Sequence, residues 1–259
     1  MLLIDAGNTF IKWARPHPDQ TFSLESAVWK DFGAVRHHEL AVLKNAWEKL
    51  HGEMPIRHVL ISNVAGPYLG NALSEFLTAL RPKPPKIEWF YSESVLGGIK
   101  NTYLDYRKLG SDRFASMIGA HSLFPEKALL VVTAGTATTI DTLSPDGTFL
   151  GGMILPGLKL MAESLARNTA QLPDINRINN EPTVFANNTD SAILSGCLNA
   201  QAGAIERAAR THGRHFADVL CLLSGGAARY IAPNLSIPFR IIDNLVLIGL
   251  HTSSVQKTS

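Results

Sequence analysis

Two stretches of this chain follow one plan. Leu2-Leu-Ile-Asp-Ala-Gly-Asn-Thr-Phe-Ile-Lys12 and Leu130-Val-Val-Thr-Ala-Gly-Thr-Ala-Thr-Thr-Ile140 each read as a buried apolar strand, a small polar turn with glycine, and a second strand. The copies stand about 128 residues apart, too far for a short-period solenoid. This predicts a duplicated domain. The 259 residues are enough for two domains of ordinary size. Two similar lobes facing each other would bring both turns to one cleft, and such clefts are preferred small-molecule sites. The expected boundary puts the first turn in 1–108, and the second turn, together with the Ser224-Gly-Gly226 segment, in 109–259.

The intervening sequence alternates strands and helices. Helical periodicity covers Leu40–His51, Pro67–Leu80, Leu109–His121, Leu158–Ala166 and Ser191–His212. Strands are expected at Thr21–Val28, His58–Ser62, Ile87–Tyr91, Ala128–Thr133, Ala137–Leu143, Thr148–Leu155 and Asp218–Leu223. Phe239–Leu250 reads as a strand and the start of a helix. Asn176–Asn188 is polar and reads as an exposed loop. The fold class is α/β.

Composition removes several classes of function. Hydrophobic residues make up 46% and charged residues 18%, a globular balance rather than a disordered one. A net charge of +2 with scattered Lys and Arg gives no field for nucleic acid. No run of about 18 apolar residues could span a bilayer. The chain starts directly on a strand-like segment, so no signal peptide is expected and a cytoplasmic setting is. Cys197 and Cys221 have no zinc-type or CxxC spacing, Cys221 reads as a buried small hydrophobe, and no disulfide is expected. His37-His38 reads as a solvated surface pair.

The turns carry the chemistry. In Asp5-Ala-Gly-Asn-Thr9, Gly7 would remove the Cβ that blocks a phosphate, and Gly7 and Asn8 tolerate the positive φ of a tight turn. The amides of Gly7, Asn8 and Thr9 can form an anion-binding concavity. Thr9 adds a hydroxyl, and Lys12 can reach a phosphate as a point charge. Asp5 cannot hold phosphate itself, but it can hold Mg²⁺ through water. An ordinary hairpin turn with Asp as turn former fits this motif equally well. In the second turn, Thr136 and Thr138 could supply hydroxyls to a triphosphate, or simply belong to a β-branched hairpin. Ser224-Gly-Gly226 would let a base or ribose lie on the backbone, and also suits a helix start. Gly151-Gly-Met-Ile-Leu-Pro-Gly157 is a strand leaving through a rigid turn.

Gly110-Ser-Asp-Arg113 opens a helix. Asp112 is a candidate general base for phosphoryl transfer to an alcohol. Arg113 could take a substrate carboxylate in a bidentate fork. A helix cap with an acidic first turn explains the same residues. Tyr103 is a plausible nearby hydroxyl, or a packing residue.

Taken together, Asp5-x-Gly-Asn-Thr9, Gly110-x-Asp-Arg113, Gly135-Thr-Ala137, Gly151-Gly-x-Ile-x-Pro-Gly157 and Asn188-Thr-x-x-Ala192 occur in an order that resembles the type III pantothenate kinases, the group that includes the Bvg accessory factor proteins. The resemblance runs nearly end to end. It implies an actin-like fold of two ribonuclease-H-like lobes with mixed sheets flanked by helices. It implies a cytoplasmic homodimer with no nucleic-acid or membrane partner. The implied reaction is the first step of coenzyme A biosynthesis, in which ATP and pantothenate give ADP and 4′-phosphopantothenate. By the resemblance, Asp5, Ala6, Gly7, Asn8, Thr9, Phe10, Ile11 and Lys12 bind ATP, Thr136 contacts its phosphates, and Asp5 holds Mg²⁺ through water. Asp112 is the base, and Tyr103, Gly110, Ser111, Asp112, Arg113 and Thr189 bind pantothenate. The family usually has Asp where this chain has Thr133, and that Asp holds a monovalent cation such as K⁺ or NH₄⁺. A hydroxyl is a poorer ligand, so that site is not carried over.

Two other readings compete. One is a kinase of the same fold acting on a sugar or another small hydroxy acid. The other is a non-catalytic regulatory protein that keeps the fold. Intact Asp5, Asp112 and Arg113 argue against the second. No GxGxxG opens a βαβ unit, which disfavours a dehydrogenase.

Overall fold

The structure is a computed structural model, and it describes residues 1–17, 29–167 and 184–256. It divides into two compact units: 1–124 with 245–259, and 125–244.

The first unit is built on β1 (Leu2–Ala6), β2 (Phe10–Arg15), β3 (Asp31–Arg36), β4 (His58–Asn63) and β5 (Lys86–Trp89), ordered β3-β2-β1-β4-β5. β1, β2 and β3 pair antiparallel, and β4 and β5 extend the sheet in parallel. Helices α1 (Leu40–Glu53) and α2 (Pro67–Thr78) follow β3 and β4. Alternation along β1 sends Leu2, Ile4 and Ala6 to one face. There they join Ile11, Trp13, Val59, Ile61, Leu43, Trp47, Leu73 and Leu77 in one core. Each large side chain so buried contributes about 1.5–3 kcal/mol of transfer free energy.

The opposite face carries Leu3, Asp5, Leu60 and Ser62, and α3 (Ser111–Leu123) and α7 (Leu245–Gln256) contact the strands of this sheet. A short hairpin, β6 (Val95–Leu96) and β7 (Ile99–Asn101), precedes α3. The first half of α7, Leu245–Leu250, is apolar and buried all round, while its C-terminal end carries polar residues and reaches solvent at Val255. It crosses α3 with backbones in contact. A Cβ at Gly249 would run into the Ala115 carbonyl, and one at Gly119 into the Leu245 carbonyl. This close crossing explains why the contact division differs from the expected boundary at 108/109. α3 is bound to α7, and both belong with the first sheet.

The second unit repeats the pattern. β8 (Leu129–Ala134), β9 (Ala137–Leu143), β10 (Thr148–Pro156), β11 (Leu220–Ser224) and β12 (Phe239–Ile241) stand in the order β12-β11-β8-β9-β10. β8–β9–β10 pair antiparallel, and β8–β11–β12 in parallel. Read from β10, this is the strand order and sense of the first sheet, so the expected duplication is present in the topology. α4 (Leu158–Arg167), α5 (Thr189–His212) and the single turn α6 (Ala228–Ile231) complete the unit. Leu198, Ile205 and Ala208 of α5 pack with Leu130, Val132, Ile140 and Leu223 in its core. Cys197 and Cys221 are free and buried there, and burial pushes the Cys221 thiol up to about 12.

The class expected from sequence, α/β with mixed sheets flanked by helices, is the class observed. The strand expected at Thr21–Val28 lies outside the described residues, as does most of the loop expected at Asn176–Asn188. The described third strand is β3, at Asp31–Arg36. Among the described residues, no helix is long and apolar enough to cross a membrane.

Candidate active site

The turn after β1 is closed by the Gly7 amide donating to the Phe10 carbonyl at 3.1 Å. Neither Gly7 nor Asn8 adopts the positive φ expected for them. A Cβ at Gly7 would lie 3.4 Å from the Phe10 carbonyl oxygen, an ordinary contact. Neither strain nor crowding within the chain therefore demands glycine here. Ala6 and Ile11 sit in the core, so only their backbones could meet a ligand, while Phe10 is partly exposed.

Asp5 stands opposite Lys12 on β2 and Ser62 on β4. The Ser62 hydroxyl is hydrogen-bonded to that of Ser111 at 2.8 Å. This buried pair fastens the N-terminus of α3 to the strand beside Asp5, and so brings Asp112 near Asp5. The electrostatics register the approach. Burial pushes the Asp5 carboxyl up to about 7; the Lys12 charge opposes this shift and the Asp112 charge adds to it. Burial also raises Asp112, against the Arg113 amide and guanidinium, which favour its charged form.

Asp112 is not a helix cap. The N-cap is Gly110, which has no side chain to offer, and Asp112 lies within the first turn. Its Oδ1 accepts from the Arg113 amide at 2.8 Å. A Cβ on Gly110 would sit 2.7 Å from that same Oδ1, so Gly110 leaves room for the carboxylate to fold back. Arg113 is buried, and its Nη1 donates to the Tyr103 hydroxyl at 3.1 Å, with the guanidinium 5.7 Å from the ring centroid. Tyr103 is held in turn by its amide donating to Asn101 Oδ1 at 3.1 Å, while Asn101 Nδ2 donates to the Tyr106 carbonyl. The structure thus gathers Asp5 and Lys12 of the central strands β1 and β2 with Ser111, Asp112 and Arg113 at the N-terminus of α3, and Tyr103 joins them through Arg113. Paired carboxylates that resist ionisation, beside an amide-rich turn and a buried guanidinium, can bind a cation and accept a proton.

In the second unit the corresponding turn is one residue shorter, with the Gly135 amide donating to the Ala137 carbonyl at 2.9 Å. Two later glycine motifs support it. The Gly157 amide donates to the Thr136 carbonyl at 2.9 Å, and a Cβ at Gly157 would strike Gly135 and Thr136. Gly225, at φ +92°, lies against the Ala134 backbone, and the Ala227 amide donates to the Ala134 carbonyl at 3.1 Å. Thr189 is exposed at the start of α5, where the Asn188 side chain caps the helix by accepting from the Ser191 amide at 3.0 Å. The structure describes this turn and Thr189 within the second unit.

Sequence reasoning missed Ser62, Asn101 and His37. His37 is not a solvated residue: it is half-buried, with its ring nitrogen 2.8 Å from the Gly7 carbonyl. The only sequence signal for Ser62 was a small polar residue ending an apolar strand.

The family model for type III pantothenate kinase matches residues 1–211. The chain belongs to the type III pantothenate kinase family. A type III pantothenate kinase from Janthinobacterium sp. (strain Marseille) is 52% identical, with 100% of this chain and 98% of that protein covered. One from Herminiimonas arsenicoxydans is 49% identical over 98% and 97%. Among solved structures, a Baf family protein from Campylobacter jejuni aligns with TM-score 0.64 at 18% identity, covering 100% of this chain and 99% of that one. A protein from Sinorhizobium meliloti assigned as a 2-dehydro-3-deoxygalactonokinase aligns with TM-score 0.57 at 15% identity, covering 99% and 98%. These alignments show that both proteins share the two-sheet α/β fold described above.

Proposed function

We propose that this chain transfers the γ-phosphoryl group of ATP to the hydroxyl of pantothenate, giving 4′-phosphopantothenate in the first step of coenzyme A biosynthesis. Full-length similarity to type III pantothenate kinases supports the reaction. The observation that carries the assignment of residues is Asp112, raised by burial and held beside Asp5 and Arg113. A carboxylate whose proton affinity is raised is better matched to taking a proton from an alcohol.

In this reading Asp112 orients the pantothenate hydroxyl and accepts its proton late in the transfer. Arg113 and Tyr103, already hydrogen-bonded to one another, bind the pantothenate carboxylate and fix its distance from Asp112. Gly110, Ser111 and Thr189 complete the pantothenate contacts. The Asp5–Lys12 turn binds ATP through its amides, the Thr9 hydroxyl and the Lys12 ammonium, and Thr136 contacts the phosphates.

The donor set fits Mg²⁺. Among the described residues no three of His, Cys, Asp and Glu form a cage. Mg²⁺ in phosphoryl-transfer sites uses one or two carboxylates besides substrate phosphates and water. Asp5 would hold it through water, where it would neutralise charge on the phosphates. The residues around Thr133 do not fit a carboxylate-held monovalent cation. Thr133 stands opposite Thr139 and Ser224, all neutral hydroxyls, and Asp141 lies two positions along β9, opposite Val131. Activity therefore depends weakly or not at all on K⁺. The resemblance also supports a cytoplasmic homodimer, which sedimentation at the mass of two chains would test.

The test is an ADP-release assay across pantothenate, N-acetylglucosamine and acetate. Turnover with pantothenate alone supports the reading; turnover with another acceptor, or none, removes it.

A further inference from the structure

His37 braces the first turn from outside its hairpin. It opens a single 3-10 turn, His37–Glu39, directly after β3. The β2–β3 register places Phe10, which ends the turn, opposite Arg36. His37 therefore follows the residue that faces the turn across the sheet. Two contacts fix that corner. The Arg36 guanidinium lies 4.8 Å from the Phe10 ring centroid, and the Arg36 amide donates to Glu39 Oε2 at 2.7 Å. The His37 Nε2 then reaches the Gly7 carbonyl at 2.8 Å. A carbonyl only accepts, so Nε2 carries the proton.

The consequence follows from peptide geometry. The Gly7–Asn8 peptide is planar and trans, so its C=O and N–H point in opposite directions. Fastening the Gly7 carbonyl to His37 aims the Asn8 N–H away from His37. Gly7 has no side chain to resist rotation of this peptide, and it stands in no strained conformation that would lock it. Rotated the other way, the turn would show a carbonyl oxygen to a phosphate, and like partial charges repel.

We propose that His37 is a positioning residue for the nucleotide: it sets the Gly7–Asn8 peptide so that the Asn8 amide faces a phosphate. The inference rests on reading Asp5–Lys12 as the ATP-binding turn. His37 makes no contact with pantothenate and takes no part in proton transfer. Its loss weakens ATP binding alone, by about the three- to tenfold that one intramolecular hydrogen bond is worth.

The test uses the full chain with His37→Ala and His37→Gln, measuring Mg-ATP affinity by calorimetry and KM for each substrate. Ala weakens ATP binding and raises its KM about three- to tenfold, leaving the pantothenate KM unchanged. Gln, a neutral side chain that keeps an N–H donor, restores most of the affinity. A histidine acting as a cation on phosphate would not be replaced by Gln. Wild-type ATP affinity in the Ala variant overturns the proposal, as does equal loss in Ala and Gln. If wild-type chain binds no ATP, the reading of the turn fails; if it binds ATP and the variants bind equally, only the role of His37 fails.

Discussion

Replacing Asp5 by Asn should stabilise the protein at neutral pH while removing its activity. Burial lifts the Asp5 carboxyl from an ordinary 3.8 to about 7. Between those values the folded chain holds a proton that the unfolded chain has released. Stability from this group is therefore greatest below pH 4 and is lost as pH rises toward 7. About three pK units at about 1.4 kcal/mol each give a cost near 4 kcal/mol once Asp5 is charged. The side chain keeps some solvent contact, so about 4 kcal/mol is a ceiling. Asn cannot titrate and escapes the cost. From pH 5 to pH 8, the stability of Asp5→Asn relative to wild type should rise by up to about 3 kcal/mol. At about 2–4 °C per kcal/mol, the Tm difference should widen by up to about 6–12 °C. Thermal melts of both proteins at pH 5, 6, 7 and 8, without Mg²⁺ or nucleotide, read this directly. Mg-ATP should narrow the gap, because a cation beside Asp5 favours its charged form. Parallel curves across the range would show that Asp5 ionises like an exposed carboxylate and would refute the argument.

Gly157→Ala should weaken the second turn, because its Cβ meets backbone rather than a movable side chain. A loss of about 1–3 kcal/mol in chemical denaturation is expected, and wild-type stability would count against the packing described. Replacing Na⁺ by K⁺ or NH₄⁺ should change turnover little; a strong rise would show that a cation site exists despite Thr133.

Much of this was legible because it is written in local pattern. The apolar runs of β1 and β8, glycine in both turns, and the polar start of α3 located the two hairpins and the helix carrying Asp112. Three things were not. The backbone crossing of Gly119 and Gly249 depends on a helix about 125 residues further along the chain, so no window around α3 reveals it. The Ser62–Ser111 bond joins residues that look like ordinary small polar positions. His37 was read from its neighbour His38 as surface, whereas β-sheet register decided its contact. Of the two reasons expected for Gly7, positive φ is not realised, because the backbone there is unstrained. Gly157 and Gly225 were seen as separate motifs, and only their contacts show that both support the turn at Gly135.

The central claim is that Asp112 serves phosphoryl transfer to pantothenate. Mass spectrometry of the pantothenate pool after incubation with Mg-ATP tests it most directly, comparing wild type with Asp112→Asn at matched folding. The account predicts a product heavier by one phosphoryl group with wild type, and its formation slowed by about 10²–10⁴-fold in the variant. Product formed at the wild-type rate by Asp112→Asn, or no phosphorylated pantothenate from the wild-type chain, would contradict it.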